Sequence, residues 1–242
     1  MPTEADLKKA AARDPLNPHI PHPGGAMERV KAVLAVGGLA CFLLAAAVEG
    51  WLPAAHLNKI PMKTLDQVAG TPTPEFLKMA ELFPVDFQAA YGAPTKASFQ
   101  RALKLGKDIY IAEACWHCHS QFVRPVSNEE TRFGRVSTAA EYQNEMFLPH
   151  LFGTRRVGPD LIREAGKHSV DWHVAHFWDP PNVVPTSVMP RYPWLYSAEG
   201  APNAKGIALI TYVTWLGSWA LGNVTVAPPS PLAAASAAPV HP

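Results

Sequence analysis

The hydrophobic pattern of the 242-residue chain contains two long apolar runs without charge. The first covers residues 32–48, and its seventeen residues are the lower limit for a helix that crosses a membrane. Arg29 and Lys31 precede the run and Trp51 follows it, which predicts a membrane anchor over 29–52 with a cytoplasmic N-terminus. A cleaved signal peptide is the alternative, because small residues close the run.

An amphipathic segment and a second apolar run follow. From residue 99, apolar and small residues recur at steps of three and four, which predicts a helix leading to residue 115, with a glycine notch suited to a close helix crossing. The second run, residues 206–222, is long enough for a second membrane span, or it is a terminal helix of a globular domain. The amphipathic positions are Phe99, Ala102, Leu103, Gly106, Ile109, Tyr110 and Ala114.

The remaining segments predict the domain organisation. Residues 1–28 are polar and rich in proline and glycine, which indicates a flexible tail. Residues 53–96 are expected to form an extracytoplasmic connector with a short helix near 74–82. The globular domain is expected over 97–222, and the Ala/Pro-rich residues 223–242 are expected to be disordered.

Composition excludes some classes of function. The net charge is +1 and 17% of the residues are charged, so there is no basic surface that would predict nucleic-acid binding. The 25 prolines are typical of a loop-rich fold around a cofactor. With three cysteines in the chain, and two of them in one motif, a disulfide framework is not expected.

The motif that carries chemistry is Cys115-Trp116-His117-Cys118-His119. C-x-x-C-H is the attachment signal for haem c. On a helical turn, positions i, i+3 and i+4 share a face, so two thiols and an imidazole converge. The motif therefore predicts one covalent haem c, with Cys115 and Cys118 forming thioethers and His119 ligating the iron. Such attachment takes place on the outer side of bacterial or organellar membranes.

Two other interpretations of this motif are weaker. A structural zinc site would need four Cys or His ligands in paired clusters. The third cysteine, Cys41, lies inside the first apolar run and cannot supply a second pair. A thioredoxin-like C-x-x-C would follow a strand, whereas this one follows a helical pattern.

A second motif follows the first. Gly158-Pro159-Asp160-Leu161 resembles the loop of class I cytochromes c that lies beside the proximal histidine. There the proline carbonyl accepts the imidazole N–H and fixes the orientation of the ring, and the resemblance gives this role to Pro159. Arg155 and Arg156 are candidates for pairing with haem propionates, because guanidinium matches carboxylate geometry. Solvated surface arginines are the alternative.

Met189 is the best candidate for the sixth iron ligand. It lies in a proline-flanked loop, which suits the delivery of a thioether to a fixed point. Imidazole–thioether ligation raises the reduction potential, as in electron-transfer cytochromes c. His173 and His176 are the alternative ligands.

Taken together, the motifs resemble the mono-haem subunit of cbb3-type haem–copper oxidases. This resemblance implies that Met189 is the distal ligand. It also implies electron transfer from a di-haem cytochrome c subunit or a soluble cytochrome c to the haem–copper subunit that reduces oxygen. The matching motifs are Gly106-Lys107-Asp108-Ile109-Tyr110-Ile111, Cys115-x-x-Cys118-His119-Ser120-Gln121, Arg124-Pro125, Gly158-Pro159-Asp160-Leu161, Trp172-His173, Val183-Val184-Pro185, Met189-Pro190 and Tyr192-Pro193-Trp194-Leu195.

The sequence thus predicts an all-α protein, a class I cytochrome c domain with one N-terminal transmembrane helix. The expected location is the bacterial inner membrane, with the haem domain in the periplasm. The second apolar run is then the terminal helix that crosses the helix before residue 115, with a spare face for a partner. The protein is expected to be no enzyme on its own. The alternatives are the small cytochrome subunit of a nitric oxide reductase, a free-standing tethered shuttle, or a metal-binding protein without haem.

Overall fold

The computed structural model describes residues 3–11 and 26–219 and divides the chain into two compact units between Lys59 and Ile60. Near the start of the first unit, helix α1 spans Glu4–Ala11. The Asp6 carboxylate accepts a bond from the Thr3 amide (3.0 Å), and the Thr3 hydroxyl accepts one from the Asp6 amide (3.4 Å), which caps this helix. Part of the predicted flexible tail is therefore helical, and the rest of it up to residue 25 lies outside the described residues.

The first apolar run lies in a continuous helical segment. Helix α2 spans Ala26–Ala45, a π-helical turn follows at Ala46–Trp51, and helix α3 spans Leu52–Leu57. The π turn lies directly before Pro53, whose ring would clash with a carbonyl in a regular α-helix. Within the described part of the chain, Arg29–Leu57 is the one helix long and apolar enough to span a membrane, and no residue of its most apolar stretch is buried.

The second unit is mainly helical. Its regular elements are α4 (Leu65–Val68), α5 (Pro74–Leu82), α6 (Pro84–Tyr91), α7 (Lys96–Ala112), α8 (Cys115–Cys118), α9 (Glu129–Phe133), α10 (Ala139–Tyr142), α11 (Val170–Trp178), α12 (Pro180–Val183), β1 (Tyr196–Ala198), β2 (Ala201–Pro202) and α13 (Ala204–Trp215), with 3₁₀ turns at Glu145–Phe147 and Pro193–Leu195. In the residues described, β1 and β2 form the only sheet, an antiparallel hairpin. The predicted mainly α-helical architecture is confirmed.

The centre of this unit is the crossing of α7 and α13. A Cβ atom at Gly106 would overlap the carbonyl oxygen of Ala208 and lie 2.7 Å from Cβ of Tyr212, so the two helices touch backbone to backbone at this glycine. The rings of Tyr110 and Tyr212 meet edge to face beside it, 5.5 Å apart. The predicted glycine notch therefore lies at the helix crossing.

Helices α5 and α6 cover this crossing with aromatic side chains. Phe76 lies 5.0 Å from Phe87 and 5.2 Å from Phe99 between ring centroids, and all three are fully buried. The indole N–H of Trp215 donates to the carbonyl of Val68 (3.0 Å). Residues before α7 and residues of α13 thus share one hydrophobic core.

This packing changes the predicted domain boundaries. Residues 53–96 were expected to form a connector, but from Ile60 onward they belong to the same compact unit as α7. The predicted short helix near 74–82 is present as α5, and Thr73 caps it by accepting from the Phe76 amide (3.3 Å). The segment is structural because its aromatic residues bury apolar surface that α7 and α13 would otherwise expose.

The second apolar run is a core helix. All residues of α13 from Gly206 to Trp215 are buried, so it is not a membrane span in this fold. The expected spare face for a partner is absent from the described part of this helix, because α5, α6 and α7 cover it. The predicted disordered tail, 223–242, lies outside the described residues.

Candidate functional site

The C-x-x-C-H motif forms one helical turn directly after α7. Ala114 joins the two helices with a left-handed backbone (φ 55°), an uncommon conformation for a residue with a side chain, which turns the chain into α8. Cys115 is buried and Cys118 is exposed. Burial raises the pKa of the Cys115 thiol to about 12, so this sulfur is uncharged at neutral pH. The amide of His119 closes the turn on the Cys115 carbonyl (2.9 Å).

His119 is held against the loop that contains Pro159. Its Nδ1 lies 3.0 Å from the Pro159 carbonyl oxygen, so this nitrogen carries the proton and Nε2 is left with its lone pair. A Cβ atom at Gly158 would overlap Cε1 of the ring and lie 2.7 Å from Nδ1, so only glycine fits here. Burial lowers the pKa of His119, while the bond to Pro159 acts in the opposite direction. The imidazole is therefore neutral and fixed in orientation.

Backbone hydrogen bonds align this loop with the motif. The Gly158 amide donates to the Cys118 carbonyl (3.0 Å), and the Leu161 amide donates to the Ser120 carbonyl (2.8 Å). Tyr110, on α7, donates its hydroxyl proton to the His119 carbonyl (3.0 Å). The histidine is thus bonded to both the loop and the central helix.

The two candidate propionate partners lie in different environments. Arg155 is exposed. The Arg156 side chain is largely buried and donates to the Ser120 hydroxyl (2.7 Å) and to the Phe122 carbonyl, and it forms an ion pair with Glu129. Arg156 is therefore engaged with protein acceptors, and it is not a solvated arginine as the alternative expected.

Sequence reasoning missed the acidic partners in this network. Burial raises the pKa of the Glu129 carboxyl, but bonds from Arg156 and from the Arg124 amide outweigh this effect, so the pKa lies below its usual value. Asp160 accepts from the Ser120 hydroxyl (2.6 Å) and the Phe122 amide (2.8 Å). Asp160 lies in the Gly-Pro-Asp-Leu motif, which was the available signal. Nothing in the local sequence marks Glu129.

Met189 lies on the loop between α12 and the 3₁₀ turn at residue 193. It is partly buried against the core, and its amide donates to the Ser187 hydroxyl (3.2 Å). The C-terminal end of this loop is fixed, because Arg191 makes two bonds to Asp179 (2.9 and 2.6 Å). The ion pair of Arg191 with Asp179 therefore holds the C-terminal end of the short loop that carries Met189.

The alternative iron ligands lie on α11. His173 is buried, with Nε2 3.9 Å from a carboxylate oxygen of Glu164. His176 stacks on Trp172, with ring centroids 4.4 Å apart. Burial lowers the pKa of both histidines to about 4, so both rings are neutral at physiological pH. Among the described residues, neither Nε2 of His173 nor Nδ1 of His176 has a hydrogen-bond partner.

The residues present fit a c-type haem. Two cysteines one turn apart supply thiols, and the glycine cradle holds an imidazole whose Nε2 is free to bind iron. A thioether is available on a separate anchored loop. This donor set would hold a haem c through the two thiols, with the imidazole and the thioether as iron ligands.

Comparison with known proteins identifies the family. The family model described as cytochrome c oxidase, mono-heme subunit/FixO matches residues 95–218, which is more than half of the chain and includes α7, the motif, the Pro159 loop, Met189 and α13. No curated protein matches the chain. The chain therefore belongs to the family of mono-haem subunits of cbb3-type cytochrome c oxidases, electron-transport proteins that carry one covalently bound haem c.

Proposed function

We propose that this chain relays single electrons within a cbb3-type oxidase, towards the haem–copper subunit that reduces oxygen. Cys115 and Cys118 would hold the haem by thioethers, and His119 would ligate its iron through Nε2. The observation that carries this proposal is the 3.0 Å hydrogen bond between Nδ1 of His119 and the Pro159 carbonyl. The adjacent Gly158 allows this bond, because a Cβ atom at that position would overlap the imidazole ring. A class I cytochrome c fold, with α7 and α13 crossing at Gly106, is part of the proposal.

Met189 is the proposed sixth ligand. Its thioether side chain lies on a loop with an anchored base, whereas the ring of His173 faces Glu164 and the ring of His176 lies on Trp172. If His119 and Met189 both ligate the iron, no position would be left open for a substrate. The subunit would then be an electron carrier and not a catalyst on its own.

The protein's part in the mechanism is to set the properties of this site. When bound, haem c supplies a one-electron iron couple. The Pro159 carbonyl accepts the N–H of His119, and this bond would make the imidazole a more basic ligand and favour oxidised iron. Met189 would act in the opposite direction, because a thioether favours reduced iron. Gly158 leaves room for the ring, and the hydroxyl of Tyr110 holds the backbone of His119.

Exposed apolar side chains beside the proposed ligands support docking of redox partners. Val188 precedes Met189 and is 78% exposed, and Val157 precedes the Gly158 cradle and is also exposed. We propose that these two side chains belong to one docking surface, since exposed apolar patches mark interaction sites. We propose that the haem–copper subunit and an electron donor, either a di-haem cytochrome c subunit or a soluble cytochrome c, bind on this side.

The proposed location is the bacterial inner membrane. The span Arg29–Leu57 would be the anchor, and covalent haem attachment requires that the haem domain lie in the periplasm. Purification of the full chain in mild detergent, with haem and metal analysis of the copurifying proteins, tests this assembly. We expect a copper-containing oxygen reductase. Isolation as a monomer, or with a non-haem-iron enzyme, would contradict the proposal.

The relay itself is tested by electron transfer in the assembled complex. Val188→Asp is expected to slow oxygen consumption driven by a reduced donor at least fivefold, because it places a charge at the proposed docking side. Val85→Asp is the matched control, since Val85 is 80% exposed but lies on α6. An unchanged absorption spectrum of the Val188→Asp protein checks that the neighbouring methionine keeps its position. Equal rates in the two variants would contradict docking at this side.

A further inference from the structure

A second group of ligand-type side chains lies in the turn before α11 and in its first turns. Glu164, His168 and His173 place one carboxylate oxygen and two imidazole nitrogens within 4.8 Å of one another. His168 Nδ1 lies 2.5 Å from Oε1 of Glu164, and His173 Nε2 lies 3.9 Å from the same oxygen. None of these three residues has a role in the proposed electron relay.

The turn is held in position from several sides. The Ala165 amide donates to the Leu216 carbonyl (2.8 Å), which ties the turn to the end of α13. The His168 ring stacks on Trp172 at a centroid distance of 3.9 Å. Ser169 caps α11 by accepting from the Trp172 amide (3.2 Å), and this cap fixes the helical turn that carries His173. The three side chains are therefore arranged before any ligand binds.

The imidazole of His173 provides an independent observation. The residue is 2% exposed, and its Nε2 has no hydrogen-bond partner among the described residues, although it is directed towards Glu164. Buried polar atoms in folded proteins are nearly always paired, so an unpaired ring nitrogen beside a carboxylate calls for a ligand. The unpaired nitrogen thus lies on the side of the ring that faces the carboxylate.

The charged and titratable groups around the cluster are compatible with a bound cation. The side chain of Lys167 lies 3.7 Å from Oε2 of Glu164, which leaves Oε1 for the two histidines. His176 on α11 and His119, the proposed haem ligand, also lie within electrostatic reach of Glu164. The buried carboxylate is thus the negative charge on which the two imidazoles converge.

We propose that Glu164, His168 and His173 form a binding site for one divalent metal ion of the zinc type, separate from the haem ligands. Two histidines and one carboxylate are a typical ligand set for zinc with an open fourth position. In tetrahedral zinc sites, ligand atoms lie about 3.4 Å apart, so small rotations of these side chains suffice. On binding, the Nδ1 proton of His168 moves to its Nε2, and water takes the fourth position, since this side chain is 39% exposed.

Zinc binding to the full, haem-loaded chain in detergent tests the site. The histidines of the terminal segments are first removed by His19→Ala, His22→Ala and His241→Ala, so that they do not contribute background. Equilibrium dialysis with zinc chloride is expected to give one zinc per haem. Zinc-edge X-ray absorption is expected to show two nitrogens and one carboxylate oxygen at about 2.0–2.2 Å.

Variants separate this site from unspecific binding. His168→Ala is expected to weaken zinc binding at least tenfold without unfolding the protein, because the side chain is partly exposed. Glu164→Gln is expected to weaken it similarly, while the exposed His150, changed to alanine, serves as the matched control and leaves it unchanged. Stoichiometry below one zinc per haem, or equal affinity in the His168→Ala and His150→Ala proteins, would overturn the proposal.

Discussion

Two glycines in the second unit each allow a neighbouring segment to approach closely, and the two close contacts have different consequences. Gly106 lets α13 approach α7 until backbone touches backbone, in a region where every side chain of α13 from residue 206 to 215 is buried. Gly158 lets a loop approach the imidazole of His119, in a region of polar contacts and exposed loops. The first close contact supports the stability of the fold, whereas the second positions the imidazole of the proposed iron ligand.

The comparison leads us to expect that stability and reduction potential depend on separate contacts. The helix crossing is stabilised by apolar burial, with Tyr110 and Tyr212 packed edge to face. The imidazole is positioned by single hydrogen bonds, from Nδ1 of His119 to Pro159 and from Tyr110 to the His119 carbonyl. A change at the crossing should therefore appear in unfolding, and a change at the loop should appear in the reduction potential.

The largest expected effect is that of Gly106→Ala. The new methyl group would overlap the Ala208 carbonyl, which belongs to backbone and cannot rotate away, so the free energy of unfolding should fall by about 3 kcal/mol. Thermal unfolding followed by circular dichroism measures this loss. Gly37→Ala, where nothing lies within 4 Å, is the control and should leave the stability of the haem domain unchanged. Equal stability of the two variants would contradict the backbone contact between α7 and α13 at Gly106.

Gly158→Ala should change the potential more than the stability. The methyl group pushes the His119 ring away from Pro159, and a weaker bond makes the imidazole less basic, so the potential should rise by on the order of tens of millivolts. Potentiometric titration of the full chain measures this shift. The fraction of Gly106→Ala protein that folds should retain the wild-type potential. A large potential shift in Gly106→Ala would break the proposed separation between the two regions.

The buried amine of Lys107, next to Gly106 on α7, is expected to make the stability of the fold depend on pH. Burial lowers the pKa of Lys107 from 10.5 to about 8, and its Nζ donates to the Leu148 carbonyl. Between pH 8 and pH 10 the unfolded chain binds more protons than the folded one, so stability should rise with pH by on the order of 1–2 kcal/mol. Chemical denaturation of the haem-loaded chain, in which Cys115 would be a thioether and would not titrate, measures the slope, which should be flatter in Lys107→Met.

The pH range over which stability rises ends near pH 10, because buried tyrosines oppose the rise above that value. Burial raises the pKa of Tyr212 and of Tyr110, so above pH 10 the unfolded chain loses protons that the folded chain keeps, and stability falls again. The measurements therefore end near pH 10. A wild-type profile as flat as that of Lys107→Met would contradict the buried position of the amine.

The smallest expected effect is that of Tyr110→Phe, which alters a residue shared by both regions. It keeps the ring that packs on Tyr212 but removes the bond to the His119 carbonyl, so the free energy of unfolding should fall by about 1 kcal/mol. The potential should change less than in Gly158→Ala, because Nδ1 of His119 keeps its partner. Denaturation and potentiometry of the same sample test both statements.

Local patterns in the sequence predict much of this architecture. The three- and four-residue period predicts α7, the Thr73-Pro74 pair predicts α5, and the apolar run without charge predicts the helix Arg29–Leu57. Gly106 marks the crossing because a glycine in a helix interior costs stability unless something approaches it closely. These features depend on neighbours within a few residues along the chain.

Contacts between distant segments could not be predicted in the same way. The Trp215 indole bonds to Val68, 147 residues away, so no local pattern shows that the segment before α7 covers α13. Arg156 and Glu164 lie in loops, and no periodic sequence pattern predicts the path of a loop. The ion pair of Arg156 with Glu129 and the short distance between Glu164 and His173 could therefore not be predicted. The site motifs could be predicted because their residues are adjacent in sequence. The hydrogen-bond and ion-pair networks that support the motifs could not be predicted, because they join residues far apart in the chain.

Carbon monoxide binding to the reduced protein tests the central claim, a haem held between His119 and Met189, most directly. Carbon monoxide needs an open iron position, so the wild-type spectrum should not change on its addition. The Met189→Ala protein should bind it, and its potential should fall by on the order of 0.1 V or more, because the thioether is lost. Binding by the wild type, or a Met189→Ala protein with the wild-type spectrum and potential, would contradict the proposed ligation.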